Sequence, residues 1–260
     1  MPIQTEAIAP ARPSARAGVA GPGAPPQWPL RLQLLQLPPA PRPPNAAMPP
    51  SDPDHAAGSP SDPGDTADLA ARREAISSGD PSRAMPALAG LREASVEQAT
   101  PLLLLGLEQQ AIMVRSLACA GLGVKRSEAG WQELVRALQH DEDANVRAEA
   151  ANALASYGVE RSWPLLRQIF IDDSQWLVRC SVLSALAEQP EIPLTWLLEL
   201  AGLALTDADG TVRVGGAEIL GRVAREAEPD LAMQARQQLA PLQSDPDHRV
   251  VAAALNGLQG

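Results

Sequence analysis

The sequence has 260 residues, with 26 prolines and 19 glycines but only five Trp, one Tyr and one Phe. Its formal net charge of −10 argues against a protein that binds nucleic acid by neutralising phosphates. No apolar run approaches the ~18 residues that a membrane-spanning helix needs, so we exclude a membrane span. Its two cysteines, Cys119 and Cys180, are too few for a disulfide scaffold and suit a reducing compartment, so we expect a cytoplasmic protein.

The first quarter of the chain differs from the rest in composition. Seventeen of the 26 prolines lie in residues 1–64, and proline-dense sequence forms neither helix nor central strand because it lacks backbone donors. We therefore predict a disordered Pro-rich leader at 1–65 and a folded domain at 66–260. Residues 1–47 hold four Arg and one Glu, a charge of +3, which leaves −13 for residues 48–260. In an alternative interpretation, translation begins at Met48 and the basic leader is not made.

Three segments of the acidic part, 141–154, 173–186 and 207–220, repeat one pattern. Each begins with Asp, has a Val-Arg pair at its sixth and seventh positions and ends on Leu. Residues 112–122 form a looser copy, and 245–258 form a last copy with valine in place of the arginine. Two markers recur every 32 to 34 residues: the arginines Arg115, Arg147, Arg179 and Arg213, and the tryptophans Trp131, Trp163 and Trp196.

The apolar residues of each copy follow a helical period, as Val146, Ala150, Ala153 and Leu154 illustrate. A second apolar stretch precedes each copy, so every unit is predicted to be a pair of helices. Stacked pairs share one core of Leu, Ala and Val that neither helix forms alone, and the first and last pairs, which depart from the motif, are expected to be capping units. The predicted pairs are 67–77/81–92, 96–107/110–123, 128–139/143–157, 160–170/174–188, 191–205/209–226 and 229–242/246–258.

The motif Asp-x-Asp-x-x-Val-Arg-x-x-Ala-x-x-Ala-Leu at this spacing resembles the HEAT repeat, in the short form of phycobilisome-lyase-type proteins. The resemblance covers about residues 80–260 and implies an all-α fold, a short right-handed α-solenoid of about six HEAT-like helix pairs. The runs 113–125 and 212–222 are similar to a cyanobacterial HEAT-repeat family whose members are described as partners of the IscA-type iron–sulfur assembly protein.

The wider superfamily includes bilin lyases, which attach tetrapyrroles to antenna proteins, and HEAT-like enzymes whose di-iron centre is held by paired His-Glu motifs. This sequence departs from the di-iron enzymes, because none of His55, His140 and His248 is followed by Glu. It also has no Ser-His-Asp set and no phosphate-binding loop. We therefore expect no catalytic residues, no bound metal and no cofactor.

The repeated arginines are the first candidate site. On stacked helices, Arg115, Arg147, Arg179 and Arg213 are predicted to form a column about 10 Å apart. Such a column suits the carboxylates of an acidic partner or the propionates of a tetrapyrrole. We favour a structural interpretation, in which each arginine pairs with an acidic group of its own or the neighbouring repeat, because an unpaired buried arginine is costly. The acidic turns are likewise interpreted as helix caps rather than as metal ligands.

The cysteines occupy different repeat positions, so they are not a repeated ligand pair. We expect Cys119 to be a small buried residue and Cys180 to lie nearer the surface. Trp176 is out of register with the other tryptophans and is predicted to lie in a turn, where other copies have polar residues such as Asn145 and Thr211. It is therefore our leading candidate for an exposed contact residue.

Two adjacent glycines, Gly215 and Gly216, interrupt a predicted helix at a cost of about 1 kcal/mol each relative to alanine. They indicate close approach by a neighbouring backbone or by a ligand.

These features together predict a non-catalytic HEAT-repeat scaffold or adaptor that mediates protein–protein interaction. The resemblance implies a role in iron–sulfur cluster assembly or a photosynthetic assembly step, with an A-type iron–sulfur carrier or a phycobiliprotein as partner. The alternative is a phycobilin lyase or a bilin chaperone. The candidate partner-binding residues are Trp176, Arg179, Cys180, Arg147 and Arg213.

Overall fold

The computed structural model describes residues 63–259, with side chains from residue 67 onward. The predicted leader, 1–65, lies outside the described residues except for its last three, which open the first helix. Twelve α-helices and two short 3-10 turns make up the described part, in which no strand occurs. The α-helices are α1 Pro63–Ser77, α2 Pro81–Ala89, α3 Val96–Leu107, α4 Ile112–Lys125, α5 Glu128–His140, α6 Ala144–Ala155, α7 Val159–Asp172, α8 Trp176–Ala187, α9 Leu194–Ala204, α10 Gly210–Glu226, α11 Pro229–Leu239 and α12 His248–Gln259.

The six predicted helix pairs are confirmed, and with them the all-α solenoid. Most helix bounds fall within three residues of the prediction. In the first and last pairs a predicted helix is split: α2 is followed by the 3-10 turn Gly90–Arg92, and α11 by Ala240–Ser244. Six of the described helices begin at a side-chain cap: Asp80, Ser95, Ser127, Asp143, Asp209 and Asp247 each accept a hydrogen bond from a backbone N–H of the first turn.

The second helices of the pairs form a continuous row, in the order α2, α4, α6, α8, α10 and α12. The stripe predicted from Val146 is buried: Val146, Ala150 and Leu154 have no exposed surface and Ala153 has 4%. Small residues allow these helices to pack closely. A Cβ added at Gly123 would lie 2.9 Å from the Cα of Ala153 in the next repeat. The core is therefore a repeated Leu, Ala and Val layer, as the scarcity of aromatics indicated.

The paired glycines are explained by the same close packing. A Cβ at Gly216 would lie 2.8 Å from the Cβ of Ala204, which places α10 against α9 of its own pair. At Gly215 an added Cβ would lie 3.1 Å from Cδ1 of Leu183 on α8, in the preceding pair. The expected close approach is confirmed, and the neighbour is this chain itself.

The three tryptophans in register lie on the first helices and join consecutive pairs. Trp163 and Trp196 stack with ring centroids 4.9 Å apart, and this contact ties α7 to α9. Trp131 packs edge-on against Tyr157 at 5.4 Å, and the guanidinium carbon of Arg161 lies 3.9 Å from the centroid of the Trp131 ring. The recurrence of these tryptophans is therefore explained by packing within and between repeats. Of the twelve helices, none is both long and apolar enough to cross a membrane.

Candidate functional site

Each of the four repeated arginines forms a bidentate ion pair with an aspartate of the following helix pair. Their Nε and Nη2 atoms donate to the two carboxylate oxygens at 2.6 to 3.1 Å. All eight side chains are largely buried, with exposed fractions of 7 to 14%. We call these pairs the ladder: Arg115–Asp141, Arg147–Asp173, Arg179–Asp207 and Arg213–Asp245.

The remaining Nη1 atom of each arginine bonds to its own repeat. Nη1 of Arg147 donates to the carbonyl oxygens of Asp141 at 3.0 Å and Glu142 at 3.3 Å. Nη1 of Arg179 donates to the carbonyl of Asp173 at 2.8 Å, and Arg115 and Arg213 bond in the same way. A single guanidinium therefore holds the turn of its own pair and the carboxylate of the next.

The two aspartates of an Asp-x-Asp turn have different tasks. The first, such as Asp207, accepts the arginine of the preceding pair and also the N–H of Asp209 at 2.8 Å. The second, Asp209, caps α10 by accepting the N–H of Thr211 at 2.7 Å. Where Gln175 replaces the second aspartate, the helix that follows has no side-chain cap. The acidic turns are thus explained by capping and by the ladder.

These contacts shift the titration of the ladder. The hydrogen bonds that the four arginines donate to the aspartates raise the pKa of each arginine. Burial alone would raise the pKa of Asp207, but its hydrogen bonds from Arg179 and Asp209 outweigh burial and lower it. The pKa of Asp173 is lowered in the same way, and that of Asp245 is lowered chiefly by Arg213. Both partners of these pairs are therefore charged at neutral pH.

The candidate residues Arg147, Arg179 and Arg213 consequently lie within the ladder, with Nε and both Nη atoms bonded inside the chain. The structural interpretation favoured from the sequence is what the structure contains, and the acidic group comes from the neighbouring repeat. No contact in the described structure tests whether these arginines also bind a partner, so that role stays a prediction.

The cysteines lie where the sequence placed them. Cys119 is fully buried, and burial raises the pKa of its thiol well above the usual value. Cys180 is half-buried on α8, and burial raises its pKa to about 12, so both sulfurs are protonated thiols at neutral pH. Over residues 67–259 no cluster of three or more His, Cys, Asp or Glu side chains is arranged to hold a metal ion.

Trp176 was predicted to lie in a turn, but it is the first residue of α8. Counting from the repeated valine, it shares a position with Ala144 and Gly210, and Leu177 is the equivalent of Asn145 and Thr211. The sequence comparison therefore placed Trp176 one residue too late in the repeat. The expected exposure is observed, since 42% of the Trp176 surface is accessible.

Trp176 belongs to an edge where acidic and apolar side chains alternate. We define the acidic edge as the turns 108–111, 141–143, 173–175 and 205–209 together with the first helical turn that follows each. Ile112 and Met113 open α4 on this edge with 41% and 57% exposure. The Glu142 side chain is 91% exposed, and Asp172, four residues before Trp176 in the chain, is also exposed. Sequence periodicity did not single out Ile112 and Met113, although their repeat positions were available.

Comparisons with known proteins agree with this fold. The HEAT repeats family matches residues 100–187, and no curated protein sequence matches the chain. The X-ray structure of Escherichia coli YibA matches with a TM-score of 0.53 and 15% identity, over 78% of this chain and 76% of that one. A designed armadillo repeat protein in complex with the peptide (KR)4 matches with a TM-score of 0.51 and 20% identity, over 74% and 98% of the two chains.

The complex of CpcE and CpcF of phycocyanin lyase from Nostoc sp. PCC7120 is also similar, at 19% identity over 75% of this chain and 99% of that one. Its TM-score of 0.35 is too low to support an argument about activity. Taken together, the family match and the two structures above a TM-score of 0.5 show a HEAT- and armadillo-like repeat solenoid.

Proposed function

We propose that this protein is a non-catalytic scaffold that binds a protein partner along the acidic edge. The observation that carries the proposal is Trp176, a tryptophan at the start of α8 with 42% of its surface exposed. Tryptophan is enriched among the residues that contribute most to protein interfaces. A repeat solenoid supports such a role, because its stacked units present an extended surface.

The acidic edge specifies the chemistry of the partner. Ile112 and Trp176 share a repeat position on α4 and α8, which lie two repeats apart, about 20 Å at the usual spacing of packed helices. Two exposed carboxylates lie near these residues along the chain: Glu142, in the turn before α6, and Asp172, which ends α7. The partner therefore supplies two apolar contacts and nearby Lys or Arg side chains.

The other candidate residues fit this surface in two ways. Cys180 follows Trp176 by four residues, so both lie on one face of α8 and Cys180 extends the contact from the edge along the helix. The acidic turns are held in position by Arg147, Arg179 and Arg213. Each guanidinium bonds the turn of its own pair and the aspartate of the next pair.

The first partner to test is an A-type iron–sulfur carrier, which the resemblance of residues 113–125 and 212–222 suggests. In this proposal the chain is an adaptor in an assembly step and holds no cluster of its own. A bilin lyase remains the alternative function, and it predicts a pigment with a visible absorption band that co-purifies with the protein from its native host.

The test compares Trp176→Ala with Met233→Ala in the full chain. Met233 is also a large exposed apolar residue, at 52%, but lies on α11 in the last pair. Affinity capture from the native host, followed by calorimetry with the purified candidate carrier, is expected to show binding at least tenfold weaker for Trp176→Ala and unchanged for Met233→Ala. Equal binding by both variants would refute the acidic edge as the interface, and a colourless protein would refute the lyase alternative.

A further inference from the structure

A groove lies at the opposite ends of the second helices from the acidic edge. It has a volume of about 760 Å³, within the range of ligand-binding clefts. The loops that follow α4, α6 and α8 form its walls, so it crosses three consecutive repeats. We call it the loop groove, and its principal lining residues are Val96, Val124, Lys125, Arg126, Tyr157 and Arg161.

The groove is both apolar and basic. Val124 is 65% exposed, the highest value among the large hydrophobic residues in the described part of the chain, and Val96 is 38% exposed. Three cations line the groove against one acidic residue, Glu191. This local excess of positive charge is unusual in a chain with a net charge of −10.

Two of the three cations already have strong partners. Nζ of Lys125 donates to the carbonyl oxygens of Arg92 at 2.8 Å and Ala94 at 2.6 Å. Nη2 of Arg161 donates to both carboxylate oxygens of Glu128 at 2.8 Å, and its guanidinium lies over the Trp131 ring. The third cation, Arg126, is the group through which the groove would recognise an anion.

Arg126 has only a weak partner within the chain. Its Nη1 lies 3.4 Å from the carbonyl oxygen of Ser156, and no described carboxylate lies within ion-pair distance of its guanidinium. Its backbone is left-handed, with φ 38° and ψ 63°, the one non-glycine residue of the described chain with positive φ. This residue caps the end of α4, with its backbone N–H donating to the carbonyl oxygen of Leu122, in a conformation that arginine rarely adopts.

We propose that the loop groove binds an extended acidic peptide segment of a protein partner, in which a Glu or Asp carboxylate pairs with Arg126 and a neighbouring aliphatic side chain packs on Val124. Charge complementarity selects this occupant, because the groove combines an arginine that lacks an acidic partner with exposed valines. Arginine binds carboxylates through two parallel hydrogen bonds, which fixes the register of the bound segment. The site is independent of Trp176, which lies at the other end of the second helices.

The experiment uses fluorescence anisotropy of dye-labelled peptides with the full chain. The probe is an eight-residue peptide of alternating Glu and Leu, and the comparison peptides replace Glu by Gln or by Lys. We expect binding of the Glu peptide only, weakened by added salt, and at least tenfold weaker for Arg126→Gln. Arg136→Gln removes the same charge from an exposed position on α5 and is the matched control, with binding within twofold of the parent chain.

Two further variants separate binding from folding. Arg126→Gly is expected to melt at the same or a higher temperature, because glycine adopts positive φ without strain, and still to lose binding of the Glu peptide. Trp176→Ala is expected to bind the Glu peptide normally, which distinguishes this site from the acidic edge. The proposal is overturned if the Lys or Gln peptide binds as tightly as the Glu peptide, or if Arg126→Gln binds it with unchanged affinity.

Discussion

The inner junctions of the solenoid and its two ends are held by different contacts. From the second pair to the sixth, every junction contains one buried bidentate Arg–Asp pair of the ladder. The first junction contains no ladder pair. There Nζ of Lys125, the last residue of α4, donates to two carbonyl oxygens in the segment after α2. In the sixth pair Val251 occupies the arginine's position, while Arg249 pairs with Asp247 of its own turn.

This difference shows what the repeated arginine does. A ladder arginine is present where the following pair supplies an aspartate at the matching turn, and absent from the last described pair. Where Arg249 stands instead, its side chain is 51% exposed and its partner lies only two residues away. The Val-Arg motif is therefore a device for joining neighbours, and the capping interpretation of the terminal pairs agrees with its loss.

The largest expected effect comes from breaking one inner junction. Arg179→Met leaves the Asp207 carboxylate buried without its cation, which costs about 3–5 kcal/mol in the free energy of unfolding. Arg249→Met is the matched change at the end of the solenoid and is expected to cost at most about 1 kcal/mol, because its ion pair is exposed. Urea unfolding followed by circular dichroism measures both. Similar losses would show that the ladder does not distinguish inner junctions from the end.

The regular spacing made much of this architecture predictable from sequence. Helix pairs, the buried stripe of Val146 and the pairing of arginines with aspartates all follow from a period of 32 to 34 residues. What the sequence left open is the direction of pairing, because the aspartate six residues before Arg147 is much nearer along the chain than Asp173, which follows it by 26 residues. The structure shows that the carboxylate comes from the next pair and that the own turn supplies carbonyl oxygens instead.

The two proposed binding surfaces were predictable to different degrees. Trp176 was visible as an aromatic outside the tryptophan register, although its position was placed one residue away from the true one. Arg126 gave no signal, because a left-handed backbone at an arginine has no sequence signature and its lack of a partner depends on loops that are about 30 residues apart. The conformation of an irregular loop does not follow from the repeat period, so the repeats could not predict this site.

A second, smaller effect is expected from acid. The pKa values of Asp173, Asp207 and Asp245 are lowered in the folded chain, so their ion pairs stabilise the fold above the unfolded pKa of about 4 and lose this contribution as pH falls below it. The urea midpoint is therefore expected to drop between pH 5 and pH 3. Arg179→Met should show a smaller drop than the parent chain, because it removes the bonds that lower the pKa of Asp207. Equal drops in the variant and the parent chain would contradict the ladder as the source of acid sensitivity.

The smallest expected effect concerns the ion pairs between first helices. Arg167 on α7 pairs with Glu199 on α9, one repeat apart like the ladder residues, with Nε and Oε1 separated by 2.5 Å. Its side chain is 36% exposed and that of Glu199 is 45% exposed, so water screens the pair and Arg167→Met is expected to cost less than about 1 kcal/mol. The same two helices are already joined by the Trp163–Trp196 stack, which the substitution leaves intact. If urea unfolding instead showed a loss of stability as large as that of Arg179→Met, burial would not explain why the ladder pairs stabilise the fold more than the exposed pairs.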